Sequence, residues 1–196
     1  MREYQNNPQY KARPAYYSRY QIKGSVLEVG CGFGYQLSYL KSRNNLVVGL
    51  DSNSLIARYA KHVVGIENMV IADAAFLPFK ENMFDWVLAN QVIEHLSEPL
   101  FFLKSINKVL KKGKFLFIST PNKFAYFRLF APVLKATRLW EDDPSHLKIF
   151  SFIDIRSYLK AANFRITASE PTNLNKIPWI GKIFTAGIEI VAECCK

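Results

Sequence analysis

A chain of 196 residues with 49% hydrophobic content has room for one globular domain with a full core, or for one domain carrying an inserted cap. The opening stretch MREYQNNPQYKARPAYYSRY lacks the apolar segment of a signal peptide, and no run reaches the ~18 apolar residues of a transmembrane helix, so the cytoplasm is the expected compartment. The formal charge of +10 is clustered, with nine Lys/Arg and no acid from Lys104 to Arg138 and five Lys/Arg against one Glu in residues 1–23; this reads either as a solvated face or as a surface for an anionic partner.

The hydrophobic pattern alternates between two periods along the chain. SVLEVG reads as a buried strand, GYQLSYLKSR as a helix, NLVVGLD as a strand and SLIARYAKHV as a helix. MVIAD and FDWVLAN are two further strands, EPLFFLKSINKVL is a helix, and KFLFIST is a fifth strand. Strands alternating with helices of about ten residues imply right-handed crossovers and a parallel sheet. After STPN the rhythm breaks at KFAYFRLFAPVLKATRLW, a basic and aromatic segment interrupted by Pro132 and closed by EDDP. It resumes with SFIDIRSYLKAAN, a helix capped at Ser151, then FRITASE and a last strand in AGIEIVAECC. The three cysteines, two of them adjacent at Cys194 and Cys195, make neither a disulfide framework nor a zinc spacing and read as ordinary thiols.

The stretch VLEVGCGFG ends the first strand in an acid and a turn with glycines at 30, 32 and 34. In an open parallel sheet, ligands sit at the carboxyl ends of the strands, where the first strand-to-helix turn also lies. Glycines there permit a tight bend and contact with bare peptide. Their spacing is neither that of the dinucleotide fingerprint nor that of a phosphate loop. Asp51, at the tip of the second strand, stands beside this turn and is suited to accept from ribose hydroxyls, each charge-assisted bond worth about 1.5–3 kcal/mol. Its competing reading is the N-cap of the helix that follows. Asp73 closes the third strand, where it would accept from the adenine amine, with Ala74 as backbone donor and Phe76 or Leu77 as an apolar wall. Three acidic strand ends around one glycine turn describe a nucleoside site without phosphate.

The segments VLEVGCGFG, Asp51, ADAAFLPF, FDWVLANQVIEHL and LKKGKFLFISTPN, in this order, resemble the class I S-adenosylmethionine-dependent methyltransferases, and among them the type 11 small-molecule group. The resemblance covers about residues 22–170. It implies a Rossmann-like α/β fold, a mostly parallel seven-stranded sheet with an antiparallel last strand and helices on both faces. It also implies S-adenosyl-L-methionine as cofactor, with Glu28, Gly30, Cys31, Gly32, Gly34 and Asn90 at its methionine part, Asp51 and Ser52 at the ribose, and Asp73 and Ala74 at the adenine. Methyl transfer is an in-line displacement that requires alignment and exclusion of water, and no metal.

Nucleic-acid methyltransferases of this fold commonly carry an Asn/Asp-Pro-Pro-aromatic or Pro-Cys motif, and ANQVIEH and TPN carry neither, which favours a small or lipid-linked acceptor methylated on oxygen. An RNA or protein acceptor, or a silent methyltransferase-like scaffold, is the alternative. Relatives with a His-x-x-x-Phe-Ser/Thr pattern imply that His146 lies near the acceptor, as a general base or as a structural pin between cap and helix. Glu94 and His95 read mainly as a packing and hydrogen-bonding pair under the cofactor. Residues 1–196 are expected to form one domain, with residues 1–21 as an amino-terminal lid containing Tyr16, Tyr17 and Tyr20, which alternatively pack on the sheet. Residues 123–145 are expected to form a cap over the acceptor site. Within the cap, Phe124, Phe127, Phe130, Val133, Leu134 and Trp140 interleave with Lys123, Arg128, Lys135 and Arg138, which suggests an amphiphilic acceptor and weak contact with anionic membranes.

Overall fold

Side-chain alternation at period two splits each central strand between two apolar layers, and this decides where the helices go. The computed structural model describes residues 20–43, 45–125, 143–171 and 187–196. In chain order it contains β1 (Ser25–Val29), α1 (Tyr35–Lys41), β2 (Leu46–Asp51), α2 (Ser54–Tyr59), β3 (Met69–Ile71), β4 (Phe84–Asn90), α3 (Pro99–Val109), β5 (Leu110–Pro121), α4 (Phe152–Ala161), β6 (Phe164–Pro171) and β7 (Gly187–Cys194). Leu27 and Val29 of β1, Ala89 of β4, Leu116 and Ile118 of β5 and Ile190 of β7 face one layer, packed against Phe102, Leu103 and Ile106 of α3 and Ile155 and Leu159 of α4. Val26, Trp86, Leu88, Phe117 and Val191 face the other layer, closed by Leu37 and Leu40 of α1.

The seven strands run in the order β3-β2-β1-β4-β5-β7-β6. Pairings β1–β2, β1–β4, β2–β3 and β4–β5 are parallel, and β7 inserts antiparallel between β5 and β6. This is the Rossmann-like arrangement expected, antiparallel last strand included. The chain order reverses at β1, whose neighbours are β2 and β4, so the turn leaving β1 opens at the switch point of the sheet.

Local chemistry sets the helix limits. Asn53 caps α2 by accepting from the Leu55 and Ile56 N–H groups, and the helix loosens into a π turn at Ala60–Val64 before Gly65 stops it in the left-handed region. Ser151 and Asp154 form a reciprocal capping box at the start of α4. In α3, Pro99 occupies the first turn and Phe102, Leu103, Ile106 and Val109 are buried. Each such side chain contributes about 1.5–3 kcal/mol on burial, so packing rather than propensity holds this helix. Strand β5 starts earlier than KFLFIST suggests. Leu110 already pairs with Phe84, and an irregularity before the Phe115–Trp86 pair, with Gly113 at φ 71°, absorbs the basic residues between.

Tyr20 packs against Phe117 with ring centroids 5.7 Å apart, on the sheet rather than over the glycine turn. Tyr16, Tyr17 and the rest of the expected lid, together with residues 126–142 of the expected cap, lie outside the described residues. Just before residue 126, the Lys123 N–H donates to the Phe150 carbonyl at 2.8 Å and Ala125 is buried. Among the described residues no helix is long and apolar enough to cross a membrane.

At the amino-terminal edge of the sheet, Asp85 gathers four donors. Its Oδ2 accepts from Ser25 N at 3.0 Å, Ser25 Oγ at 2.8 Å and Lys111 Nζ at 2.9 Å, and Lys114 Nζ lies 3.2 Å from Oδ1. Burial by itself raises the carboxyl pKa, but the Ser25 and lysine donors outweigh it and hold the group well below the usual carboxylate range. A depressed folded pKa stabilises the fold above the unfolded value of about 4, and that stability is lost as the pH falls through the folded value. Asp85→Asn is therefore expected to lower unfolding free energy by about 2 kcal/mol at neutral pH. In urea titrations the gap from the wild type should narrow steadily below about pH 4.

Candidate active site

The turn between β1 and α1 runs through three glycines in the left-handed region, with φ 65° at Gly30, 54° at Gly32 and 76° at Gly34. Their surroundings differ. A Cβ on Gly30 would lie 2.7 Å from Val92 Cγ2, and one on Gly34, the N-cap of α1, would lie 3.0 Å from Ile66 and 3.1 Å from Ala60. A Cβ on Gly32 would meet nothing within 4 Å. Two of the glycines thus make way for the chain itself, and the third borders open space.

Asp51 ends β2 beside this turn. Its Oδ2 accepts from the Gly32 N–H at 2.9 Å, and its Oδ1 accepts from the Asn53 N–H at 2.9 Å. The helix-cap role open to Asp51 in the sequence belongs instead to Asn53. Because β3 ends at Ile71, Asp73 stands in the turn beyond it, with Oδ1 accepting from the Ala75 N–H at 2.8 Å. Phe76 is exposed and meets Phe101 edge-on, while Leu77 packs toward the core.

Two cavities open along this edge of the sheet. One, of about 520 Å³, is lined by Gly30, Asp51, Ser52, Asp73 and Ala74 on one side and by Gln91, Val92, His95, Glu98 and Leu147 on the other. The second, of about 100 Å³, is bordered by Glu28, Gly30, Cys31, Gly32, Gly34 and Asn90. All ten cofactor-binding candidates therefore fall on these two cavities, which share Gly30. Cys31 borders the second cavity, but its Sγ turns toward Met69 Sδ at 3.9 Å and burial pushes its thiol pKa far up, so it is an inert packing group. Glu28 is buried in mid-β1, and Asn90 at the end of β4 accepts from the buried Ser119 hydroxyl.

In the segment after Asn90, sequence reading singled out Glu94 and His95 but passed over Gln91 and Val92. Gln91 takes the left-handed conformation at φ 56°, its N–H donating to the Ser119 carbonyl at 3.0 Å, and this kink lays Val92 and His95 along the larger cavity. A non-glycine residue with positive φ leaves no mark in composition or periodicity. Glu94 is buried and accepts from Thr120 Oγ1 at 3.0 Å; burial raises its carboxyl pKa. Its backbone carbonyl accepts from the N–H groups of Leu147 and Lys148, which fastens the chain before α4 to this turn. The pair Glu94 and His95 thus separates into an anchor and a cavity wall. His146 packs on His95 with ring centroids 5.0 Å apart, and the residues lining the larger cavity include His95 and Leu147 but not His146.

Residues 27–118 match the family described as "Methyltransferase domain". The chain is 28% identical over 141 residues to a protein of Mycolicibacterium smegmatis named a probable S-adenosylmethionine-dependent methyltransferase, covering 72% of this chain and 52% of that protein. It is 31% identical over 146 residues to the mitochondrial ubiquinone biosynthesis O-methyltransferase of Mus musculus, covering 66% of this chain and 40% of that one. The chain thus spans about half the length, or less, of these curated relatives. A crystal structure of an S-adenosylmethionine-dependent methyltransferase from Archaeoglobus fulgidus superposes with a TM-score of 0.72 at 19% identity, covering 94% of each chain. The [4+2]-cyclase SpnF superposes with a TM-score of 0.69 at 19% identity, covering 95% of this chain and 81% of that one, so the fold alone does not fix the reaction.

The glycine geometry separates folding from the open cleft. Gly32→Ala is expected to lower stability by about 1–2 kcal/mol, the strain of a left-handed alanine. Gly30→Ala adds the clash with Val92 and should lower it by about 2–4 kcal/mol in all, both read by urea denaturation.

Proposed function

We propose that the chain is a class I S-adenosylmethionine-dependent methyltransferase, a reading supported by the match of residues 27–118 to the methyltransferase domain family, and that it methylates an oxygen of a small or lipid-linked acceptor. The observation that carries this reading is the pair of cavities joined at Gly30. A nucleoside on Asp51 and an amino-acid moiety between Glu28 and Asn90 would connect across one bare Cα.

The residues present fit the cofactor. Each carboxylate oxygen of Asp51 accepts one backbone bond and keeps a lone pair for a ribose hydroxyl, while the Gly32 and Asn53 N–H groups hold the carboxylate in place. Ser52 lies beside it on the cavity wall. Asp73 and Ala74 place an acceptor and a backbone donor where an adenine edge would lie. Glu28 brings a buried carboxyl to the side on which the cofactor carries its positive groups, and Gly32 leaves room for close approach. When bound, S-adenosylmethionine supplies a sulfonium methyl carbon open to in-line attack. Val92, Leu96 and Leu147 supply part of the larger cavity's apolar lining, against which a bound acceptor would shed water.

The ubiquinone biosynthesis relatives, named O-methyltransferases, support oxygen as the acceptor atom. The alternating apolar and basic residues of the segment 123–145 support an amphiphilic acceptor and weak, salt-sensitive attachment to an anionic membrane. A screen of phenols, catechols and prenylated phenols, with an RNA pool and a peptide pool beside them, tests the acceptor class through mass spectrometry of a labelled methyl group. Transfer to RNA or peptide alone would replace this reading.

Calorimetry tests the site. Asp51→Ala is expected to weaken S-adenosylmethionine binding by about 2 kcal/mol, tens of fold in affinity, and a wild-type protein that binds none at millimolar concentration removes the proposal. Flotation with liposomes should recover the wild type on anionic vesicles at low salt, less at high salt, and little on neutral ones.

A further inference from the structure

We propose that His95 is the general base that takes the hydroxyl proton of the acceptor, and that Asp143 and Ser145 fix the ring tautomer this requires. The assignment rests on the methyltransferase reading above and names the group that would act in it. His95 stands on a wall of the 520 Å³ cavity that Asp51 and Asp73 also line. Its Nδ1 faces two groups of one residue, the Ser145 carbonyl oxygen at 3.0 Å and Ser145 Oγ at 3.1 Å.

The tautomer follows from counting hydrogens. Ser145 Oγ donates to Asp143 Oδ1 at 2.6 Å, and the Ser145 N–H donates to the same oxygen at 2.9 Å. Those two donors hold the Asp143 carboxyl below the usual carboxylate range, so it stays ionised and acts as an acceptor. With its hydrogen given to Asp143, Ser145 Oγ offers His95 a lone pair, as the carbonyl does. Two acceptors against Nδ1 place the ring proton there, and a neutral imidazole then carries its free lone pair on Nε2.

Glu94, on the same turn as His95, is buried and bound to Thr120. Asp143, His146 and Lys148 come from the segment ending the cap, with His146 Nε2 4.0 Å from Asp143 Oδ2 and Lys148 Nζ on the Ser97 carbonyl at 2.8 Å. Glu98, Asp51 and Asp73 share the cavity. His146 instead backs the His95 ring, so the two histidines divide into an acceptor of protons and a support.

In the step, the hydroxyl proton moves to Nε2 of His95, and the oxygen uses the pair of its former O–H bond to bind the methyl carbon. The carbon–sulfur pair stays on sulfur, leaving a neutral thioether, and the imidazolium formed passes its proton to water. Charge is conserved at every stage. Asp143 would stabilise the imidazolium through Ser145.

Long-range proton–nitrogen NMR of the full chain with labelled imidazoles, at mildly alkaline pH and without cofactor, reads the tautomer directly. His95 is expected as the Nδ1–H form, less strongly favoured in Ser145→Ala, where the residue-145 carbonyl alone remains as acceptor. With a hexyl-substituted catechol as acceptor, His95→Gln should lower turnover by about 100-fold while calorimetry finds cofactor affinity unchanged. Asp143→Asn should lower it by about tenfold or more through the tautomer. An Nε2–H tautomer in the wild type, a His95→Gln enzyme that keeps its turnover, or turnover abolished by EDTA and restored by zinc or magnesium overturns the assignment. Cofactor binding without turnover on any phenolic probe overturns it as well, since a hydroxyl acceptor is part of it. Absence of cofactor binding overturns instead the reading on which it rests.

Discussion

The carboxylate of Asp51 joins the two pieces of backbone on which the site is built. One oxygen holds the Gly32 N–H of the turn after β1, and the other holds the Asn53 N–H at the entry to α2. A charge-assisted bond of this kind is roughly twice as strong as a neutral one. Both turns are thereby fixed relative to β2 and the floor of the cleft is set before any ligand arrives. The same residue lines the larger cavity. One side chain thus organises both turns and lines the larger cavity.

Stability and function lie at opposite ends of the same strands. At the amino-terminal edge, Asp85 collects Ser25, Lys111 and Lys114 and absorbs part of the basic run that dominates the middle of the sequence. At the carboxyl edge, the turns after β1 and β4 hold Gly30, Gly32, Gly34 and Gln91 in left-handed conformations, and Glu28, Asp51 and Asn90 border the cavities. The core between them is apolar on both faces, so it is rigid enough to hold the site without taking part in it.

Glu94 links the site to the returning chain. Its carboxyl is bound to Thr120 of β5, while its carbonyl holds the Leu147 and Lys148 N–H groups. Residues 143–148 are therefore held at a fixed height against the sheet, which sets Ser145 against His95 and Leu147 on the cavity wall. With the Gln91 amide turned so that its nitrogen meets Glu94 Oε1 at 3.2 Å, both carboxyl oxygens have donors. That satisfies a buried acid whose unpaired form would be expensive.

Periodicity and turn chemistry determined much of this protein from the sequence alone: seven strands, the helices between them, the Ser151 cap, and the glycine turn with its acidic strand ends. These are local rules, in which period two or 3.6, a capping residue or a bare Cα acts within a few positions. Tertiary structure decided what depends on distance across the chain. It gave Asp51 to Gly32 and left the helix cap to Asn53, and it turned the Cys31 thiol inward while its backbone borders the cleft. It also put His95 on the cavity and His146 against it, through contacts with Ser145 that lie 50 residues away in sequence. No local pattern encodes which of two histidines meets the open space, because that choice is made by where the chain returns after its insert.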